Sequence, residues 1–565
     1  MKFILCILSF LFCCVVVSAQ DIGNMGKQKP FTISGNIGGS TNFYHSNEPV
    51  ATRPAFSWNI YGSFTPTVYG VALPFSFVVN QYSKSYSQPF TQFGLSPTYK
   101  WAKLHMGYRS MQFSPMTFDG QSFRGVGLEL TPKLFRFAAF YGKLNRKVNE
   151  DTTSGRYMLP QFSRKAAGVK IGVGNASNYF DLIWFHAKDD SASANIINKG
   201  NYRPQENTVL GSSFKVTLKR KIIFNTDIAI SGLTQDLSLA PANDSANTGL
   251  LKLMDGFVPY NSSTIANWAG QSNLQFILNG YVTSLGYRRV QPGFKSLGTP
   301  YMLNDISLVN WMNNFYLAKG RLNITALVAS QHNNLDKKLT NELHTFTSNL
   351  SINAILSTRF NLNTSYSGYH LQQKDGTLHL KDSARLNQDI HQFNITPSYT
   401  VSNTVHSNTV SGNISYMLLD DKNPATSPFT NSNNLALSLN YTLGLIKQAS
   451  SFTLSGLFSK YTQDTNFYKT YGATISSSAQ VLKNKQLGLQ GSAGYLINRS
   501  SYGNAQSNLT FSGNISYRVK HHSFNAYANY IYTPYNPINN VINQQVPQAV
   551  ATKNTGGGLS YNYSF

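Results

Sequence analysis

Charge facing a passage is the first chemistry this sequence offers. In Leu104–Arg109 the residues Leu104, Met106 and Tyr108 alternate with His105 and Arg109. In a strand, successive side chains point to opposite faces, so if the apolar set meets one face, His105 and Arg109 hold the other. In the same way Phe135, Phe137 and Ala139 leave Arg136 on the opposite face, and Tyr281, Thr283, Leu285 and Tyr287 leave Arg288. Cations gathered along the wall of an aqueous passage bias it toward anions. The alternative is that each is one member of a mixed ion-pair network, with Glu129 as a candidate partner, and both readings stay open here.

Catalytic chemistry finds no comparable foothold. No G-x-S-x-G, H-E-x-x-H or P-loop occurs, and none of the 11 His is placed so as to single it out. The sequence therefore points to no enzyme, no metal site and no cofactor. Asp189-Asp190 and Asp420-Asp421 could hold a divalent cation, but acidic pairs where strands run into loops are more simply solvated loop tips.

The elements that position those charges follow from composition. Charged residues are 12% of the chain, against about 25% in a soluble domain. Mean hydropathy is nonetheless −0.24, so apolar bulk has not replaced the missing charge. The chain is too polar for a helical membrane protein, and with 33 Tyr and 36 Phe too aromatic for disorder. A β-rich chain with one face in lipid and one in water fits.

The N-terminus reads as an export signal. Lys2 precedes an apolar run from Phe3 to Val17, and Val17-Ser18-Ala19 offers a small-residue cleavage site. The run falls short of the roughly 20 residues a membrane span needs. Cys6, Cys13 and Cys14, the 3 cysteines of the chain, all lie inside it, so a chain cleaved after Ala19 has no disulfide and no thiolate ligand.

Exported strands can cross a membrane as a closed barrel, whose signature is alternation over about ten residues between turns. Leu509, Phe511, Gly513, Ile515, Tyr517 and Val519 alternate with polar neighbours, as do Leu435 to Leu445 and Leu487 to Ile497. The chain ends on Leu559, Tyr561, Tyr563 and Phe565, alternating with Ser and Asn, which resembles the signal read by the outer-membrane insertion machinery. Twelve short turns, among them Tyr69-Gly70, Lys219–Lys221, Ala318–Arg321, Ile446–Ala449 and Lys520-His521, separate longer polar segments such as Asp189 to Glu206 and Gln235 to Gly270. That pattern predicts an all-β fold, a transmembrane antiparallel barrel of about 26 strands (roughly 24 to 28), with short periplasmic turns and long extracellular loops. The expected organisation is a signal peptide over 1–19, a short periplasmic segment over 20–30 and one outer-membrane barrel over 31–565.

Net charge is +24, or +23 once Lys2 leaves with the signal. Nucleic acid would need clustered Lys/Arg and a recognisable module, and neither is present. Many cations fall in the short turns, where they meet lipid phosphates. Outer-membrane lipid and the insertion machinery are thus the expected partners, with other envelope proteins or lipoproteins as further candidates.

Leu95–Trp101, Leu104–Arg109 and Gly286–Gly298 resemble segments of large porin-like outer-membrane β-barrels of Bacteroidota, a resemblance that spans the mature chain and implies location and fold rather than chemistry. An empty barrel of this width would leak, so something is expected to fill it. The predicted plug is the Gln235 to Gly270 segment, with Leu250, Leu251, Leu253, Met254, Phe257 and Tyr260 suited to burial. Two function classes remain: a porin-like channel for polar solutes, occluded by loops or a partner, and a structural or accessory barrel in an outer-membrane machine for protein secretion or assembly.

Overall fold

The computed structural model describes residues 29–47, 53–81, 93–150, 159–196, 202–242, 249–379, 381–482, 484–501, 505–534 and 551–565. The expected export signal and residues 20–28 lie outside the described residues.

Alternation decides the architecture. Among the described residues, apart from single helical turns, every regular element is a strand, and all strands pair antiparallel in one sheet. The first, β1 (Phe31–Ser46), pairs with β2 (Phe56–Val68) on one side and with the last, β28 (Thr552–Ser564), on the other, so the sheet closes on itself. The closing ladder runs from Asn36 opposite Ser564 to Ser46 opposite Asn554.

Twenty-eight ladder segments make 26 strands, because two strands are broken in the middle. β3 (Val71–Ala72) and β4 (Phe75–Asn80) form one, interrupted at Leu73-Pro74. β5 (Gly94–Leu95) and β6 (Thr98–Tyr99) form the other, interrupted at Ser96-Pro97. Proline has no N–H to give a ladder, so each break falls at a ring. Both prolines still accept hydrogen bonds, Pro74 from the Ser96 amide at 2.8 Å and Pro97 from the Leu104 amide at 2.9 Å. The fold is the closed antiparallel barrel that the alternation predicts.

One end of the barrel carries twelve connections of two to five residues. Lys100, Lys133, Lys219, Arg220, Lys319, Lys485 and Lys520 take positive φ there, the backbone hand that tight hairpin turns require. The other end carries the remaining thirteen connections, and the described chain both enters at Phe31 and leaves at Ser564 on the short-turn side. Two of the thirteen are not long, since only Asp464-Thr465 joins one pair of strands and five residues separate Ser500 from Gln506. The expected long segments are also trimmed. Asp189, Asp190 and Glu206 belong to strands, and the connection expected over Gln235 to Gly270 stops at residue 263, where a strand starting at Thr264 takes over.

The two faces of the wall are chemically opposite. Large apolar side chains stand exposed on the outside, including Ile171, Leu182, Leu439 (63% exposed), Phe511 and Leu559. Their strand neighbours, such as Asp181, Asn440 and Ser512, point inward. A closed sheet pairs its backbone groups between strands, so such a wall can face hydrocarbon. The buried apolar core lies inside the barrel, and all its members fall between Met111 and Ile306.

Candidate functional site in the barrel lumen

Ten strands wall one side of the lumen: β7 (Ala102–Ser110), β8 (Ser122–Leu130), β9 (Phe135–Asn145), β10 (Ser163–Gly174), β11 (Tyr179–Asp190), β12 (Glu206–Leu218), β13 (Ile222–Thr234), β14 (Thr264–Leu278), β15 (Tyr281–Val290) and β16 (Ile306–Leu317). Two of their connections, 111–121 and 291–305, fold back inside. The first is a tight turn, with a bridge from Ser114 to Phe118, that buries Phe113, Met116 and Phe118. Phe118 lies parallel to Phe140 at 4.4 Å and to Phe185 at 5.6 Å between ring centroids, both rings rising from the inner wall. The wall makes room with glycines. A Cβ on Gly168 would sit 2.6 Å from Phe113, and one on Gly211 would sit 2.5 Å from the Thr117 methyl.

The second connection locks the first. The Ser296 hydroxyl donates to the Thr117 carbonyl at 2.5 Å, and the Asp119 amide donates to the Gly298 carbonyl at 3.1 Å. Asn207 on β12 accepts from the Leu297 amide at 3.0 Å, and the Ser231 hydroxyl on β13 donates to the Lys295 carbonyl at 2.6 Å. Burial and the nearby Arg164 pull the Lys295 ammonium below its usual range, against the attraction of Asp189. Both loops are therefore bonded to each other and to the wall, and fill one side of the lumen.

The charges picked out by alternation share that side. His105 is buried, with its Nε2 2.6 Å from Glu129 Oε1 and its Nδ1 3.2 Å from the Ser96 hydroxyl. Lys103 stands in the ladder of β7 with its ammonium 3.6 Å from Glu129. Arg109 braces the broken strands: it donates to the Ser76 hydroxyl at 2.6 Å, to the Pro74 carbonyl at 3.3 Å and to the Gly94 carbonyl. Arg136 binds the buried Asp181 through two bonds of 2.7 and 2.8 Å and lies 4.3 Å over the Tyr179 ring. Glu129 thus serves His105 and Lys103 rather than Arg136. Arg288 also faces inward, and its Nε has no hydrogen-bond partner among the described residues. In each acidic pair one member is no solvated tip. Asp189 is buried against Arg164, and Asp421 is buried under the hydroxyls of Thr426 and Thr430, each 2.6 Å away.

The segment expected to plug the lumen lies elsewhere. The Thr208 hydroxyl donates to the Phe257 carbonyl at 2.8 Å and the Thr234 hydroxyl to the Pro259 carbonyl at 2.7 Å. Met254 and Val258 sit over Gly232. Thr208, Gly232 and Thr234 share a face with the exposed Phe214 and Ile228, opposite Asn207 and Ser231. The described part of connection 235–263 therefore rides on the outer wall. Met254 is buried there, whereas Leu253 and Phe257 are exposed, and Leu250, Leu251 and Tyr260 are half-buried. Outward-facing Gly232 supplies the docking place that a lumen plug would have needed inside.

Across the barrel the wall is different. β22 (Ser432–Leu445) to β27 (His522–Thr533) present small hydroxyl and amide side chains inward. Thr442 meets Thr453 at 3.0 Å, Ser451 meets Ser478 at 2.8 Å and Ser492 meets Ser512 at 2.7 Å. A groove of about 440 Å³ runs along Ser476, Ser478, Gln490, Ser492, Ser512 and Asn514. The inward loops were legible only in part. Met111-Gln112-Phe113-Ser114-Pro115-Met116-Thr117-Phe118 is too apolar for a solvated loop, and that was the available signal. At the chain end, Leu559, Tyr561, Tyr563 and Phe565 share the outer face, and the Phe565 amide reaches the Gly35 carbonyl at 2.8 Å.

No family model matches this chain, and no curated protein does. Among solved structures it is similar to the P pilus usher (PapC) translocation pore, at 10% identity and a TM-score of 0.35, covering 94% of this chain and 99% of that one. The ferric preacinetobactin receptor BauA of Acinetobacter baumannii gives 10% identity and a TM-score of 0.35, over 94% and 81%. The outer membrane protein OprD of Pseudomonas aeruginosa gives 12% and 0.32, over 66% and 96%. Similarity this low leaves both the barrel and its role to be argued from the chain's own geometry.

Proposed function

We propose that the chain is an integral outer-membrane barrel acting as a porin-like channel for polar solutes, with passage confined to the side walled by β22 to β27. The observation that carries this reading is the division of the lumen. Buried apolar side chains and two bonded loops stopper the wall of β7 to β16, while the opposite wall offers neutral hydroxyls and amides to water. Barrels of 16 to 18 strands already hold open aqueous channels, so a 26-stranded wall can lose one side to inward loops and still enclose water. The apolar run before Ala19 and the aromatic terminus support export and insertion into the outer membrane.

Selectivity follows from the inner charges. Arg136 is matched by Asp181, and Lys103 by Glu129, so these pairs add little net field. Arg109 and Arg288 have no acidic partner among the described residues, which gives a weak preference for anions. Purified protein in planar bilayers should show discrete, mildly anion-selective conductance. Silence in that assay, joined to stable co-purification with other envelope proteins, would replace the channel by the accessory role.

A further inference from the structure

Four cations stand in one row on the outer wall. Strand register places Arg124 opposite Lys143, Lys143 opposite Lys165 and Lys165 opposite Lys188, on the consecutive strands β8 to β11. All four are exposed and share the face that carries Val126, Tyr141, Ile171 and Leu182. Like charges directly opposite one another across a ladder destabilise it, so the fold alone gives no reason to collect them. Compensation within the chain is partial. Lys188 meets Glu206 at 2.8 Å, and Arg124 lies 5.7 Å over the Tyr108 ring. Lys143 and Lys165 have no acidic partner among the described residues. Asp190, also outward on β11, turns one oxygen to the Ala192 amide at 3.2 Å.

Depth and shape narrow what the row can bind. Lys188 lies eight residues along β11 from Phe180, whose ring marks the short-turn edge of the apolar band. At about 3.3 Å per residue and a tilt of about 35–45°, that is roughly 20 Å, close to the height of a barrel's lipid-facing band. The row therefore lies where hydrocarbon gives way to headgroups at the long-loop end. Below it, Tyr141 and His186 line a groove of about 440 Å³ with Lys165, Lys188 and Asp190, and the His186 ring lies parallel to Trp184 at 6.0 Å. Beside it, the outer-wall loop holds Leu253 and Phe257 exposed. The register between β9 and β10 shifts at the row itself, where Arg164 faces Asn145 and Lys165 faces Lys143.

We propose that Arg124, Lys143, Lys165 and Lys188 form a binding site for the phosphate-bearing headgroup of an outer-leaflet lipid, with its acyl chains on the apolar wall below. This inference rests on the membrane-spanning reading of the barrel and is independent of conduction, so an inactive channel leaves it standing. The test is native mass spectrometry of the full chain titrated with a bisphosphorylated lipid A in mild detergent. A charge near a membrane surface is worth about 1 kcal/mol, or roughly fivefold in affinity. The triple variant Arg124→Gln, Lys143→Gln, Lys165→Gln should therefore bind roughly a hundredfold more weakly. Arg124→Lys with Lys143→Arg and Lys165→Arg should bind like the wild type, as should Lys219→Gln with Lys221→Gln at the opposite end. If the triple variant fails to fold, Lys165→Gln alone should show the fivefold step. Wild-type affinity in the Gln variants, equal binding of dephosphorylated lipid A, or full displacement by inorganic phosphate would overturn the site.

Discussion

Phe118→Ala is the sharpest perturbation of the stopper. The ring is fully buried, parallel to Phe140 and Phe185, and belongs to a loop rather than to the barrel ladder. Truncating a buried Phe costs about 3–5 kcal/mol. None of the strand pairing depends on this side chain, so the loss falls on the docking of residues 111–121. Undocked loop should become about a hundred to a few thousand times more populated, at 1.4 kcal/mol per factor of ten. Planar-bilayer recordings should then show larger or flickering conductance steps, and limited proteolysis should cut within 111–121 while the barrel keeps its heat-modifiable mobility. Unchanged conductance with an uncut loop would refute the reasoning, because it would mean that the ring does not hold the stopper in place.

Other expectations follow from the same geometry. Leu439→Arg should destabilise the barrel by about 2–4 kcal/mol if the site is at mid-bilayer, and Asn440→Arg should be mild; equal damage in urea unfolding from vesicles would place the register wrongly. Phe565→Ser should lower outer-membrane levels of the protein, because it removes the last outward aromatic and the packing of Phe565 against Tyr563, 5.2 Å away; normal levels by fractionation and blotting would count against an assembly signal there. Deleting residues 240–262 should leave conductance unchanged, since the described part of that loop rides outside; a large rise would return it to the lumen.

Strand number and the short turns were legible because both are local properties. Alternation has a period of two, and a Lys or Gly at a tight turn is visible wherever the flanking strands end. The two proline breaks carry a local mark as well, Pro74 and Pro97, but alternation alone passes over them. The destination of the long loops was not legible, because it depends on which face of a distant strand is hollow. Residues 249–260 and 111–118 are both apolar, yet the first docks over Gly232 on the outside and the second against Gly168 and Gly211 on the inside. Only closure of the sheet decides which glycine faces which way. The inward charges were readable one strand at a time, but their partners were not. Asp181 lies on β11, forty-five residues from Arg136, and no spacing rule links them.

Cysteine accessibility tests the central claim most directly, because the only cysteines of the chain are Cys6, Cys13 and Cys14. Single substitutions Leu437→Cys, Ser438→Cys, Leu439→Cys and Asn440→Cys on β22, with Val209→Cys and Ala229→Cys on the stoppered wall, would be exposed to a water-soluble maleimide in reconstituted vesicles. The half-filled barrel predicts that positions 438 and 440 react, that 437 and 439 are shielded by lipid, and that 209 and 229 stay unlabelled although they also face the lumen. Labelling without alternation along β22 would contradict the barrel, and labelling at 209 and 229 as fast as at 440 would contradict the stopper.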